Sequence, residues 1–235
     1  MPRDCLSITI MDTLVARLED TLSSDQATRD AAEQYLAHET LPKSRTDDVL
    51  GVQLAQILSE ASLSLYVRQA AAIALKKYVR KRWSIFFDTF TQDMVVNGIV
   101  QTVDATPVEA KEHIRTSLLA CLCDAEPKVR SQASDILSLI SSCDFPDHFP
   151  QLLPTLQAYL HSYAEQDAHA AYKVHGAMKF LLDLVHVELD ENQLLMVAQQ
   201  LVPLLQGIVS SSSDWITPHT RARCINVFHQ CLISL

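Results

Sequence analysis

Residues 67–79 read VRQAAAIALKKYV, and their apolar members Val67, Ala70, Ala71, Ala74, Leu75, Tyr78 and Val79 recur three and four positions apart. At about 3.6 residues per turn, this spacing gathers them on one face of an α-helix. The same register starts again at Val129 (Ala133, Ile136, Leu137, Ile140) and at Val174 (Ala177, Met178, Leu181, Leu182, Val185). Weaker copies start at Thr28 (Ala31, Ala32, Tyr35, Leu36) and at Thr220 (Cys224, Val227, Phe228, Cys231, Leu232). Another helical stretch separates each pair of starting points, so the repeating unit is a pair of helices.

The starting points lie 39, 62, 45 and 46 residues apart, a period of HEAT type. The expected fold is all-α, a HEAT-repeat right-handed α-solenoid of about five helical hairpins. First helices are predicted at 11–23, 47–61, 108–124, 149–163 and 191–211, and second helices at 26–39, 64–82, 127–143, 168–187 and 218–235. Asp25 and Ser64 stand where N-caps belong, and Pro127 and Pro218 stand near helix starts, where a missing N–H costs nothing. The one long interval contains the irregular segment 83–107, read as an inserted loop or extra helix, because no Gly/Ser/Pro-rich linker marks a domain boundary there. The first hairpin is charged, whereas the last residues, Cys231-Leu232-Ile233-Ser234-Leu235, are apolar. Terminal repeats need a polar outer face, so 1–235 is expected to be the N-terminal part of a longer solenoid.

Of 235 residues 48% are hydrophobic, enough for a substantial core, while four glycines leave little material for a turn-rich β architecture. The sequence contains no uninterrupted apolar run approaching the roughly 20 residues of a bilayer-spanning helix. The expectation is a chain that neither crosses a membrane nor opens with a secretory signal. Six cysteines form no CxxC pair and read as reduced core residues. A net charge of −9 disfavours direct nucleic-acid binding and favours basic partners. The charge is uneven: residues 61–100 form a basic island of six bases and two acids between acidic stretches.

No P-loop, GxGxxG, HExxH or Ser/His/Asp order is present, so no enzyme activity, cofactor or catalytic residue is expected. The nine histidines are scattered without partners at ligand spacing, and no metal site is expected. Arg29, Arg68, Arg130 and Arg221 each follow a register residue; they read as a ladder stitching adjacent repeats, with Asp25 and Glu126 placed for i,i+4 pairs to two of them. Pointing away from the buried seam are Asp30 and Glu33 in the first unit, Gln69, Lys76 and Arg80 in the second, Ser134, Asp135 and Ser138 in the third, and Lys179 and Asp183 in the fourth. These residues would form one strip along the second helices, the usual binding wall of a solenoid. Its most conspicuous part is the cluster Lys76, Lys77, Arg80, Lys81 and Arg82, which equally suits a solvated helix C-terminus that complements the macrodipole.

The stretch Asp144-Phe145-Pro146-Asp147-His148-Phe149-Pro150-Gln151-Leu152 resembles the D-W/F-P-x-x-W/F-P-x-L corner between the third and fourth repeats of importin-β-family nuclear transport receptors. Its two prolines break the helix and its two aromatics pin the break to the core. Ala32-Glu33-Gln34-Tyr35-Leu36 leading to Leu41-Pro42, Ala74-Leu75-Lys76-Lys77-Tyr78-Val79 leading to Trp83, and Lys128-Val129-Arg130 resemble the same family in the same order. Val174-His175-Gly176-Ala177-Met178 and Thr220-Arg221-Ala222-Arg223 are most similar to the branch that imports core histones.

The resemblance implies a receptor shuttling between cytoplasm and nucleus, with basic protein cargo such as histones, Phe-Gly nucleoporins and GTP-bound Ran as partners. The N-terminal repeats are the family's Ran-binding end. Lys76 and Lys77 match its Leu-Lys-Asn step on the Ran-facing side, the second Lys departing from Asn. An exportin of the same family, or a HEAT-repeat scaffold that never meets Ran, remain the alternatives.

Overall fold

The computed structural model describes residues 3–39, 49–84, 87, 93–96, 99–102, 106–165, 168–186 and 189–233. Leu41-Pro42 and the terminal Ser234-Leu235, both used in the sequence reading, lie outside these residues. The described chain contains ten α-helices, a short 3-10 turn and one two-stranded ribbon, and it divides into two compact units at Ser117/Leu118.

In the first unit, α1 (Arg3–Asp20) packs on α2 (Gln26–Glu39), and α3 (Leu50–Ser59) packs on α4 (Leu65–Arg82), which also meets α1. The seam predicted from the 67–79 register is the one buried: Val67, Ala70, Ala71, Leu75, Tyr78 and Val79 are all inside. Asp25 caps α2, its Oδ2 accepting from the Thr28 amide at 2.8 Å, and Ser64 caps α4 by accepting from the Val67 amide. Gly51 is required by close approach, because a β-carbon there would stand 2.5 Å from the Tyr78 ring.

The segment following α4 corrects the expectation of a plain loop or an extra helix. It contains an antiparallel ribbon, β1 (Asp93–Val96) with β2 (Ile99–Thr102), in which Val96 pairs with Ile99. β-Branched residues favour the extended pairing, and the two-residue connection is Asn97-Gly98 in the sequence, a strong hairpin signal. The excursion closes on its origin. Thr106 donates to the Arg82 carbonyl from both its amide (2.8 Å) and its hydroxyl (2.9 Å), and its hydroxyl lies 3.0 Å from the Tyr78 hydroxyl. Trp83 is fully buried beside this clasp, with the Lys111 ammonium 5.1 Å from its ring centroid.

Helix α5 (Val108–Cys121) spans the division. In the second unit, α6 (Pro127–Asp144), α8 (Ala168–His186) and α10 (Pro218–Ile233) pack in series, as do α7 (Leu152–His161) and α9 (Glu191–Ser210). Pro127 and Pro218 each occupy the first helical position. The Asp144–Leu152 corner buries Phe145, Phe149 and Leu152, and Gln193 Nε2 donates to the Phe145 carbonyl at 2.6 Å. The Phe145–Pro146 peptide is cis. Helix α9 is long and apolar enough, by length and composition alone, to cross a membrane, although polar residues such as Gln199 and Gln200 interrupt it. It packs against α7 and α10 with Leu194, Val197, Leu201, Leu205 and Ile208 buried, as an amphipathic helix of a folded layer does.

The repeated arginines hydrogen-bond within their own hairpins, although Arg130 also lies over the Tyr172 ring of α8 in the adjacent one, and Arg29 and Arg130 reach backbone carbonyls rather than the Asp25 and Glu126 carboxylates. Each reaches back to the end of the helix before it, or to the turn that follows that helix. Arg29 donates to the Ser23 carbonyl at 2.6 Å, Arg68 to Leu58 at 2.8 Å, Arg130 to Asp124 and Ala125 at 2.5 and 2.8 Å, and Arg221 to Ser211 at 2.8 Å. A helix C-terminus exposes carbonyls without intrahelical partners and carries partial negative charge; a guanidinium one turn into the next helix answers both.

Candidate functional site

Two second-helix faces carry the residues singled out from sequence, one in each unit. In the first unit, Glu33 and Gln69 line a groove of about 670 Å³ with Lys77 and Lys81. Apart from Thr21, the remaining walls are apolar, chiefly from Leu18, Leu22, Leu36, Leu54, Tyr66 and Ile73. Tyr66 is 69% exposed and Ile73 54%. Large apolar side chains at such exposure, lining one concavity with ammonium groups, form the kind of patch that partners cover. Asp30 is exposed and accepts from Gln26 Nε2; Arg80 is exposed and Lys76 half-buried, neither lining the groove. Arg82, counted from sequence in the basic cluster, is buried.

The groove's apolar half was missed in the sequence reading. Its signal was present, because Tyr66 and Ile73 stand off the buried seam of α4 and yet are large and apolar.

In the second unit the singled-out residues hold each other. Ser134 is fully buried and donates to Asp183 Oδ2 across from α6 to α8. Lys179 pairs with Asp183 on its own helix and with Asp135 on α6, the latter at 3.5 Å. Ser138 donates to the Asp135 carbonyl at 3.1 Å. Ser134 was expected to point away from the seam and instead lies within it. A small hydroxyl fits where two helices approach closely, and an acceptor on α8 removes the penalty of burying it. This cluster is an interhelical polar lock, with Asp135, Lys179 and Asp183 partly exposed above it.

Cys121, Cys224 and Cys231 are buried and Cys123 and Cys143 half-buried, all as free thiols; the side chain of Cys5 lies outside the described residues. Burial pushes the Cys224 thiol up to about 11 and raises Cys123 and Cys231 as well. Among the described residues, no three His, Cys, Asp or Glu side chains come together as a metal site.

Comparison with known proteins agrees with this geometry. Residues 32–124, from α2 through α5, match the Importin-beta N-terminal domain family. Importin subunit beta-5 of Schizosaccharomyces pombe is 28% identical over 221 residues, covering 93% of this chain and 20% of that protein. Importin-9 of Drosophila melanogaster is 23% identical over 226 residues, 96% of this chain and 20% of that protein. Exportin-2 of the same fly is 26% identical over 143 residues, 61% of this chain and 13% of that protein. The chain thus spans about a fifth of the length of the two importins it matches. The solved structure of yeast importin-beta (Kap95p) superposes with a TM-score of 0.70 at 20% identity, over 96% of this chain and 24% of that one. A structure of Kap95p with RanGDP gives 0.65 at 19%, over 95% and 24%. At these identities the likeness establishes the fold, an importin-β-type HEAT-repeat solenoid. With the domain match, the ordered sequence motifs and the buried Asp-Phe-Pro/Phe-Pro corner, residues 32–124 form an Importin-beta N-terminal domain within a chain similar to importin-β-family proteins.

Proposed function

We propose that this chain is the Ran-binding end of a nuclear transport receptor, a carrier rather than an enzyme, and that the groove between α2 and α4 is where GTP-bound Ran engages it. The observation that carries the reading is the groove itself, where exposed Tyr66 and Ile73 lie in one concavity with Lys77 and Lys81. An apolar centre excludes water from the contact while the ammonium groups select an acidic partner face. The fold likeness to Kap95p, whose binding induces the switch loops of RanGDP to adopt the GTP-bound conformation, supports the assignment.

Cargo would be basic protein, core histones among it, attracted by the net charge of −9. Phe-Gly nucleoporins complete the partner set, as one solved neighbour is a Kap95:Nup1 complex. Shuttling between cytoplasm and nucleus follows from this role. Import is favoured by the two importin relatives that align over almost the whole chain, whereas exportin-2 aligns over 61% of it.

The test is a titration of the chain with Ran carrying a non-hydrolysable GTP analogue or GDP, repeated with Lys77→Glu/Lys81→Glu and with Tyr66→Ser/Ile73→Ser. Selective binding of the GTP form, weakened about tenfold or more by either pair, is the expected result. Equal binding of both nucleotide states, or indifference to both pairs, overturns the assignment of the groove; no binding even in a longer receptor favours the scaffold reading.

A further inference from the structure

Four of the five hairpins place an arginine directly after the register residue, at 29, 68, 130 and 221, and each satisfies backbone carbonyls. The fifth places His175 there. Its Nε2 is buried and makes no hydrogen bond among the described residues, and its ring meets Trp215 edge-on at 6.2 Å. A break in a repeated pattern at one unit is expected to mark a functional or strained site.

His175 lines a pocket of about 280 Å³ formed by the first turns of α6 and α10 and the middle of α8. The lining contains three full cations, Arg130, Lys179 and Arg223, two imidazoles, His175 and His219, and three hydroxyls, Ser131, Thr217 and Thr220, completed by Pro127. It contains no carboxylate. Lys179 is shared with Asp135 and Asp183, and Asp183 also attracts Arg223. Arg130 sends Nη1 to two carbonyls and lies 5.2 Å from the Tyr172 ring centroid, which leaves the rest of its fork without a partner among the described residues. Arg223 makes no ion pair within 4 Å among those residues. Arg130 and Arg223 are close enough to repel each other, and both press on His175.

We propose that this pocket is a recognition site for a single phosphorylated side chain, phosphoserine or phosphothreonine, presented by a partner protein segment. Its volume falls just below that of ordinary small-molecule sites and suits one anionic head rather than a whole ligand. A phosphate dianion matches two guanidiniums, an ammonium and imidazole N–H donors, and Arg forks bind it bidentately. A carboxylate carries half the charge and too few acceptors to engage all of these groups. The helix N-termini at Pro127 and Pro218 add to the same field. An extended polyanion is disfavoured, since Asp135 and Asp183 stand beside the pocket and the chain is acidic overall. The site lies within the second unit and does not rest on the Ran assignment.

The experiment records imidazole C–H resonances of the intact chain while adding N-acetyl-phosphoserine amide, N-acetyl-glutamate amide, inorganic phosphate, or vesicles containing a phosphoinositide. The phosphoserine probe is expected to shift His175 and His219 saturably, to raise the His175 titration midpoint, and to bind about tenfold more tightly than the glutamate probe. Arg223→Gln should weaken it about tenfold, whereas Lys128→Gln, outside the pocket, leaves it unchanged; retained dispersion in Arg223→Gln spectra confirms folding. Inorganic phosphate should give the same pattern more weakly. The proposal is overturned if neither histidine shifts, if Lys128→Gln matches Arg223→Gln, if the glutamate probe binds equally well, or if only the vesicles act.

Discussion

The α-carbon of Gly176 faces the backbone carbonyl of Leu122 so closely that a β-carbon there would stand 1.8 Å from the oxygen. Backbone cannot swing aside as a side chain can, so helix α8 must move bodily if any side chain is added. Gly176→Ala is expected to cost about 3 kcal/mol or more, at or beyond the upper end of overpacking effects. Gly207→Ala is the internal control: its nearest neighbour is the Tyr163 hydroxyl tip at 2.8 Å, which can shift, and the helix gains up to about 1 kcal/mol in propensity. Urea unfolding of both variants checks the contrast.

Arg68 is 3% exposed and its Nε donates to the Leu58 carbonyl at 2.8 Å. Arg68→Ala leaves that carbonyl buried without its donor, and about 1–3 kcal/mol of stability should be lost. Arg221 makes the equivalent bond to Ser211 in a more exposed setting, where water can replace the donor. Arg221→Ala should cost less than Arg68→Ala; an equal cost would mean that the bonds act through geometry rather than through desolvation.

Burial, together with the positive fields of Arg130, Arg223 and His219, holds His175 below its ordinary value of 6.5. The unfolded chain therefore takes up this proton at a higher pH than the folded one does. The stabilising contribution is present above about 6.5 and is lost as the pH falls from there through the lower folded value. Thermal melts in phosphate-free buffer should drop in Tm across that window, and His175→Gln should flatten the drop relative to the unaltered chain.

At pH 8, a thiol titrating at about 11 is ionised only on the order of one part in a thousand, and the thiolate is the reactive form. Cys224 is fully buried with its Sγ 3.7 Å from Met178 Sδ, so access is also blocked. An aromatic disulfide reagent should modify half-buried Cys143 at least about tenfold faster than Cys224. Adding denaturant should equalise the two, as followed by peptide mass mapping.

The helices were legible because one period governs each of them. The buried seam of α4 is the row read off residues 67–79, and Asp25, Ser64, Pro127 and Pro218 mark helix starts by local chemistry alone. The ribbon at Asp93–Thr102 was missed because helical periodicity dominated the reading, although Asn97-Gly98 between valine-rich runs announces it. The arginine series was seen, but its hydrogen bonding to the turn behind each helix was not, and only Arg130 is shown against the next hairpin as well. Spacing along a chain identifies a repeated residue, yet whether it reaches the next repeat or the helix just behind it depends on how the turn folds back. Ser134 failed for a related reason: angular position on α6 places it off the main seam, and only the close approach of α8 buries it. The groove, too, depends on which helices face one another, since Leu22, Tyr66 and Ile73 come from separate elements or turns.

Because each of the four arginines fastens its helix to what immediately precedes it, these polar ties are local along the chain. Each hairpin so fastened behaves as a stiff bead, and compliance falls to the mainly apolar seams between beads, where side chains can slide except at directional bonds such as the lock between α6 and α8. A structure built in this way can take up elastic strain in many small increments, each shared with a neighbour, rather than at one hinge.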